Sequence, residues 1–205
     1  MYVKVCGLKD PDMARVAVAA GADAVGVVMS EGSPRHVTPE AAAGVVEAVG
    51  GRADTVLVVR EMPVAEAVEA AGSIGATVLQ LHGGYSAAEF ATARAGFARV
   101  WRATALDDST ELTVGAWGEE VLLLDAPVAG SGHTWDIGAL QHRRPRGRWL
   151  LAGGLDPVNV AGAVTAARPW GVDVSSGVES SRGVKDPDLV RAFVAAARAA
   201  DAGDR

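Results

Sequence analysis

The chain has 205 residues, 49% of them hydrophobic, which is enough for one large core, so we expect a single domain over residues 1–205. A formal charge of −6 argues against a nucleic-acid partner, and no apolar stretch approaches the roughly 20 residues that cross a bilayer. The one cysteine, Cys6, cannot form an intrachain disulfide, and the first residues, MYVKVCGLKD, do not resemble a secretory signal. These features predict a reduced, cytoplasmic protein.

Eight apolar runs rich in β-branched residues follow one another along the chain, and alanine-rich segments of helical character separate most of them. Strand and helix repeated eight times predict an α/β fold, a single-domain (β/α)8 TIM barrel of minimal size. An open doubly wound sheet is the alternative, but its glycine signal usually follows the first strand, whereas here the glycine motifs come late. The predicted strands cover 2–6, 23–29, 54–59, 77–82, 98–104, 119–125, 147–153 and 171–176.

Helix boundaries have their own signals. A capping side chain followed by proline is typical of a helix start, and a glycine is typical of a helix end. Two segments, 107–117 and 136–142, have only weak helical character. The predicted starts are Asp10-Pro11, Thr38-Pro39, Asp156-Pro157 and Asp186-Pro187, and the predicted ends are Gly21, Gly50, Gly72 and Gly96.

Catalytic groups of a barrel lie where its strands end, and two such ends carry acid–base chemistry. Cys6 ends the first run directly before Gly7, where nearby amides would favour its thiolate; a small buried hydrophobic residue is the alternative. Asp125 ends the run VLLLD, where leucines should raise its pKa enough for it to donate a proton near neutrality; a solvated loop aspartate is the alternative. Together the two residues favour a proton-transferring isomerase.

The last two predicted strands end in the glycine-containing stretches AGGLDP and SSGVESSRG. Glycines let backbone N–H groups approach a ligand closely, and barrels often bind phosphate between their seventh and eighth loops. Each stretch alone would also suit an ordinary turn. Their position at the ends of adjacent strands predicts a phosphate site.

Other polar residues have less specific interpretations. Arg35 in SPRHV could bind a carboxylate through its planar guanidinium, or be a solvated loop residue. His82, at the end of LQLH, is a core or rim residue and a candidate for contact with substrate, since no histidine here has the spacing of a zinc site. Lys4 has the same strand parity as Cys6, so it should point into the barrel and need an anion such as Asp173.

Seven stretches in order resemble one family across nearly the whole chain, the phosphoribosylanthranilate isomerases of tryptophan biosynthesis. The resemblance implies a (β/α)8 barrel that converts N-(5′-phosphoribosyl)anthranilate to 1-(2-carboxyphenylamino)-1-deoxyribulose 5-phosphate without a cofactor or metal. It also implies a small phosphorylated substrate as the only partner, and a monomer or homodimer. The stretches are KVCGL, GADAVGVV, SPRHVTPE, LQLHG, LLLDAPVAGSGHTWD, LAGGLDPVNV and VDVSSGVESSRGVKD.

The same resemblance implies a role for each matching residue. The cysteine is the general base and the aspartate of the LLD stretch the general acid, while an arginine binds the anthranilate carboxylate and the glycine turns hold the phosphate. These roles fall on Cys6, Asp125 and Arg35, and on Gly153, Gly154, Ser176 and Gly177 for the phosphate.

The chain departs from the family pattern at Arg60, which follows the third strand, at GVVM, and at His133, Trp135 and Ile137. These changes leave the acid, base and phosphate residues in place, but they bear on the anthranilate pocket. A specialised paralogue acting on a related aminoaldose is therefore an alternative. A bifunctional tryptophan and histidine pathway isomerase is less favoured because such enzymes typically carry aspartate in place of Cys6. A non-catalytic phosphate binder is disfavoured by the presence of both Cys6 and Asp125.

Overall fold

The computed structural model describes residues 1–125, 140 and 143–202, and eight parallel strands within them close into a barrel. Each strand pairs with the next along the chain, and β8 returns to pair with β1, where Lys4 lies opposite Asp173. The barrel prediction is confirmed, and the open sheet is excluded by this closure. The strands are β1 Tyr2–Cys6, β2 Ala24–Met29, β3 Asp54–Val59, β4 Val78–His82, β5 Val100–Ala105, β6 Val121–Asp125, β7 Trp149–Leu151 and β8 Gly171–Val174.

Helices and a small hairpin complete the described fold. A short 3-10 helix, Ser176–Val178, follows β8 and leads into an antiparallel pair, β9 Glu179–Ser181 and β10 Val184–Lys185. Among the described helices, none combines the length and the apolar character that crossing a membrane requires. The α-helices are α1 Pro11–Ala20, α2 Pro39–Val49, α3 Val64–Ser73, α4 Ala87–Gly96, α5 Val160–Ala167 and α6 Pro187–Ala202.

The core has two parts. The larger lies between strands and helices, where small residues such as Ala14, Ala42 and Ala67 are fully buried and allow close approach. The smaller fills the barrel interior with side chains of the opposite strand parity, among them Val56, Trp101 and the candidate base Cys6. The interior is therefore packed rather than hollow, and the candidate site lies on top of it.

Three of the four predicted helix starts are confirmed. Asp10 and Thr38 accept hydrogen bonds from the first turns of α1 and α2, and Asp186 does the same for α6. The start at Asp156-Pro157 is wrong: the Asp156 carboxylate accepts from the N–H groups of Val158 and Asn159, closing a turn, and α5 begins only at Val160. A side chain suited to capping a helix is equally suited to capping a turn.

Three of the four predicted helix ends are also confirmed: Gly21 and Gly50 adopt the left-handed conformation that ends α1 and α2, and α4 ends at Gly96. Gly72 lies inside α3, and Gly75 takes the left-handed conformation after it. Gly96 is the last residue of α4, where a β-carbon would lie 2.8 Å from Val68, so this glycine permits packing of α4 on α3. The weak segment 107–117 forms no helix, and the segment 136–142 lies outside the described residues except for Leu140.

Candidate active site

A cavity of about 720 Å³ opens at the carboxyl ends of the strands. This volume is in the range that suits a small-molecule substrate. Residues of β1, β2, β3, β4, β6, β7 and β8, or of the loops that follow them, line it. The structure brings nearly all of the sequence-predicted site residues together there; Gly177 alone is not in the lining, which includes Cys6, Arg35, His82, Asp125, Gly153, Gly154 and Ser176.

Cys6 ends β1 with only 7% of its surface exposed. Its neighbour on β2 is Gly26, where a β-carbon would lie 2.8 Å from the Cys6 sulfur. The glycine therefore provides the space that the thiol occupies. Burial raises the pKa of the Cys6 thiol above its ordinary value, although the ammonium of Lys4 acts in the opposite direction. The free protein thus holds mainly the thiol form at neutral pH.

Lys4 and Asp173 form a buried ion pair beside this thiol, as their strand positions predicted. The Lys4 ammonium lies 2.9 Å from the Asp173 carboxylate, and the Lys4 side chain is fully buried. Burial by itself would lower the pKa of Lys4, but the charges of Asp173 and Cys6 and hydrogen bonds to both residues together outweigh burial and raise that pKa. Lys4 is therefore a cation inside the barrel, two residues before Cys6 on the same strand.

Asp125 ends β6 with 14% of its side chain exposed to the cavity, and His82 ends β4 nearby. The closest approach is 3.9 Å, between His82 Nε2 and Asp125 Oδ2. Burial, together with the charges of Arg60 and Lys4, lowers the pKa of His82 to about 4. His82 is consequently neutral at pH 7, and its contact with Asp125 is not an ion pair under those conditions.

Arg35 lies in the loop after β2, and its guanidinium is already paired. Its Nε and one terminal nitrogen donate to the two carboxylate oxygens of Glu179 at 2.6 and 3.0 Å. Lys185 donates to the same carboxylate at 2.8 Å and to the backbone oxygen of Ser175 at 2.8 Å. Sequence reasoning missed Glu179 and Lys185, because no spacing rule connects residues in loops so far apart along the chain.

The loops after β7 and β8 meet at the glycines predicted to hold phosphate. Gly153 and Gly154 have positive φ values of 85° and 66°, which other residues adopt only with strain. At Gly177 a β-carbon would lie 1.8 Å from the Leu155 carbonyl oxygen, so its role in the structure is to let the two loops touch. Ser176, beside it, lines the cavity.

Arg60 and Gln80 are among the other polar residues that line the cavity. Arg60 is exposed at the end of β3, where its charge acts on His82. Gln80 on β4 is buried, and its side-chain oxygen has no hydrogen-bond partner within the part of the chain that the structure describes. In the same part of the chain, no three His, Cys, Asp or Glu side chains are grouped to hold a metal ion.

The family model for N-(5′-phosphoribosyl)anthranilate isomerase matches residues 3–196. The chain belongs to this family. An isomerase of that name from Hyphomonas neptunium is 42% identical over 97% of this chain and 98% of its own length. These matches confirm the resemblance seen in the sequence and make the chain an isomerase of the barrel type.

Solved structures agree with this assignment. TrpF from Jonesia denitrificans is 60% identical, covers 98% of both chains and superimposes with a TM-score of 0.92. A phosphoribosylanthranilate isomerase bound to reduced 1-(o-carboxyphenylamino)-1-deoxyribulose 5-phosphate is 28% identical over 97% of this chain and 99% of its own, with a TM-score of 0.82. Of the departures from the family pattern, only Arg60 and the GVVM stretch can be placed, since His133, Trp135 and Ile137 lie outside the described residues.

Proposed function

We propose that this chain catalyses the rearrangement of N-(5′-phosphoribosyl)anthranilate to 1-(2-carboxyphenylamino)-1-deoxyribulose 5-phosphate in tryptophan biosynthesis, with Cys6 as general base and Asp125 as general acid. The observation that carries the proposal is that both residues line one cavity in a chain of this isomerase family. A solved relative that holds a reduced form of the same product supports it.

The reaction consists of proton transfers and needs no electron acceptor. Asp125 donates a proton to the furanose oxygen, the bond from that oxygen to C1′ breaks, and a Schiff base forms between C1′ and the anthranilate nitrogen. The positive charge of this iminium makes the C2′ proton acidic and also favours the thiolate of Cys6; the thiol releases its proton to solvent, and the thiolate then takes the C2′ proton and becomes a thiol again. The resulting enolamine gains a proton at C1′ from solvent, and its C2′ hydroxyl gives its proton to the Asp125 carboxylate, which yields the ketone. Product and substrate are isomers, and both groups return to their starting states.

Local groups must bind the anionic substrate, because the chain as a whole is negatively charged. Backbone N–H groups around Gly153, Gly154 and Gly177 with the Ser176 hydroxyl would bind the phosphate, since the loops that carry them meet at one side of the cavity. Arg35 would bind the anthranilate carboxylate. His82 would contact the substrate as a neutral imidazole, because its pKa of about 4 leaves it uncharged at pH 7.

The chemistry also bears on the cellular compartment in which the enzyme works. A base that works as a free thiolate requires a reducing compartment, which supports a cytoplasmic enzyme. We take residues 1–205 as one barrel domain that acts on a small phosphorylated molecule, as a monomer or a homodimer, without nucleic acid or membrane. One family member, from Thermotoga maritima, is described as a dimer from which monomers were generated.

The test is turnover of phosphoribosylanthranilate generated in situ and followed by loss of its fluorescence. We expect the purified protein to remove the signal without added metal or cofactor, and a variant lacking both Cys6 and Asp125 to leave it unchanged. A folded wild-type protein that leaves the signal unchanged would refute the proposal. Conversion of a histidine-pathway aminoaldose at a comparable rate would show the bifunctional enzyme instead.

A further inference from the structure

We propose that Lys4 and Asp173 are positioning residues for the reaction, in which Lys4 supplies the counter-ion of the Cys6 thiolate and Asp173 competes with the thiolate for that counter-ion. The inference rests on the proposed function, because it gives this pair a role through the base. In this proposal, Lys4 and Asp173 in the barrel interior act on the protonation of Cys6 rather than on the substrate itself.

The geometry that carries this inference is a row of three groups on two adjacent strands. Lys4 and Cys6 lie two residues apart on β1, so both side chains point into the barrel. Asp173 lies opposite Lys4 on β8, with 2.9 Å between ammonium and carboxylate. Cys6 and Asp173 both line the cavity, whereas the stem of Lys4 is fully buried beneath them. The Lys4 ammonium is therefore held between a carboxylate and a group that becomes an anion when it acts as the base.

Other charged or titratable groups lie around the cavity that Cys6 lines. Lys185 on β10 also favours the thiolate, but its ammonium is hydrogen-bonded to Glu179 and Ser175. Asp125 on β6 raises the pKa of Asp173 when it is ionised, and His82 on β4 is neutral at pH 7. Arg35 is paired with Glu179, and Arg60 lies exposed at the end of β3. Lys4 is therefore the cation on which the thiolate depends most.

Lys4 and Asp173 are expected to shift the pKa of Cys6 in opposite directions. The charge of Lys4, and a hydrogen bond from it, lower the pKa of Cys6, while the carboxylate of Asp173 raises it. Removing Lys4 should therefore make the thiolate harder to form, and removing the charge of Asp173 should make it easier. If the ion pair were purely structural, loss of either partner would shift the pKa of Cys6 in the same direction, or leave it unchanged.

The experiment measures the rate of alkylation of the protein by iodoacetamide against pH. Because Cys6 is the single cysteine of the chain, the rate reports that thiol alone. We expect the midpoint pH to rise in Lys4→Met and to fall in Asp173→Asn. At a fixed pH below the midpoint, the rate should change about tenfold whenever the midpoint moves by a full pH unit. In the fluorescence assay, kcat of Lys4→Met should fall by about tenfold or more, a part of the roughly 10²–10⁴ that general base catalysis contributes.

Matched controls keep the test decisive. Lys9→Met removes a lysine near Cys6 in sequence whose ammonium lies 3.5 Å from the Pro34 carbonyl oxygen, and it should leave the alkylation midpoint unchanged. If Lys4→Met does not fold, Lys4→Gln keeps a hydrogen-bond donor for Asp173 without the charge and should move the midpoint in the same direction. Midpoints that stay at the wild-type value, or that move in the same direction in the Lys4 and Asp173 variants, would overturn the inference.

Alkylation also separates this inference from the proposed function. Midpoints that move in opposite directions in a protein that does not turn over phosphoribosylanthranilate would support the role of the pair and refute the reaction. Normal turnover with unchanged alkylation midpoints would support the reaction and refute the role of the pair.

Discussion

Two buried charge clusters lie beside the same cavity, and they differ in how the fold holds them. The cavity floor, formed by Lys4, Cys6 and Asp173, depends on the register between two neighbouring strands. The cavity rim, formed by Arg35, Glu179 and Lys185, joins the loop after β2 to the hairpin after β8. Strands fix the first cluster rigidly, whereas loops and side-chain hydrogen bonds hold the second.

The difference indicates a division of labour. Floor charges act on the protonation of the proposed base, so changes there should appear in kcat. Rim charges lie where the substrate carboxylate is proposed to bind, and Arg35 must share its guanidinium between that carboxylate and Glu179. Changes at the rim should therefore appear mainly in KM.

The largest expected effect is at the floor. Cys6→Ser should leave a folded protein whose kcat is lower by several orders of magnitude, because the hydroxyl that replaces the thiol has a much higher pKa and cannot act as the base. The measurement is kcat from loss of substrate fluorescence, with circular dichroism to verify the fold. Near-normal turnover in this variant would show that Cys6 is not the base and that the floor charges do not control kcat.

A smaller effect is expected at the rim. Arg35→Ala should lower kcat/KM, mostly through KM, since it removes a contact made in both substrate and transition state. The loss of transition-state stabilisation should be about 2 to 4 kcal/mol. Arg35→Lys should restore only part of the loss, because an ammonium cannot reproduce two parallel hydrogen bonds. Arg15→Ala, at a helix position where Arg15 pairs with exposed Asp12, is the control and should behave as wild type. A loss confined to kcat would show that Arg35 acts on the reacting atoms rather than binding the substrate carboxylate.

The smallest effect concerns the stability of the rim in acid. Burial alone would raise the pKa of Glu179, but hydrogen bonds from Arg35, Lys185 and the Gly183 N–H lower it from 4.5 to about 2. A group whose pKa falls on folding stabilises the protein above its unfolded pKa, and this contribution is lost as the pH falls from about 4.5 to about 2. Glu179→Gln should therefore be less stable than wild type at pH 6, with a difference that narrows in acid. Urea unfolding at several pH values measures it, and a difference that stays constant with pH would contradict the assignment.

The sequence predicted the barrel well because its signals are local and repeated. Every predicted strand is present, since each is a run of β-branched and apolar residues that strand pairing buries on both faces. Helix boundaries were less predictable where one residue type serves two purposes. Asp156 caps a turn rather than a helix, and Gly96 is needed for packing against Val68 rather than for a left-handed backbone.

The same contrast holds for the candidate site. The pair of Lys4 and Asp173 was predictable because strand parity and barrel closure bring the two together. The pairing of Arg35 with Glu179 was not, because it depends on how two loops fold over the mouth, and no pattern in the sequence encodes that contact. Gly26 was missed as well: only the structure shows that a side chain there would occupy the space of the Cys6 sulfur.

The central claim is that Asp125 and Cys6 transfer protons within one cavity, and the kinetics of Asp125→Asn test it most directly. This variant keeps the shape of the side chain but has no proton to donate to the ring oxygen. We predict that kcat falls by about 10²- to 10⁴-fold while KM stays near the wild-type value. A kcat close to wild type, or a loss that appears only in KM, would show that the ring opens without Asp125 and would contradict the account.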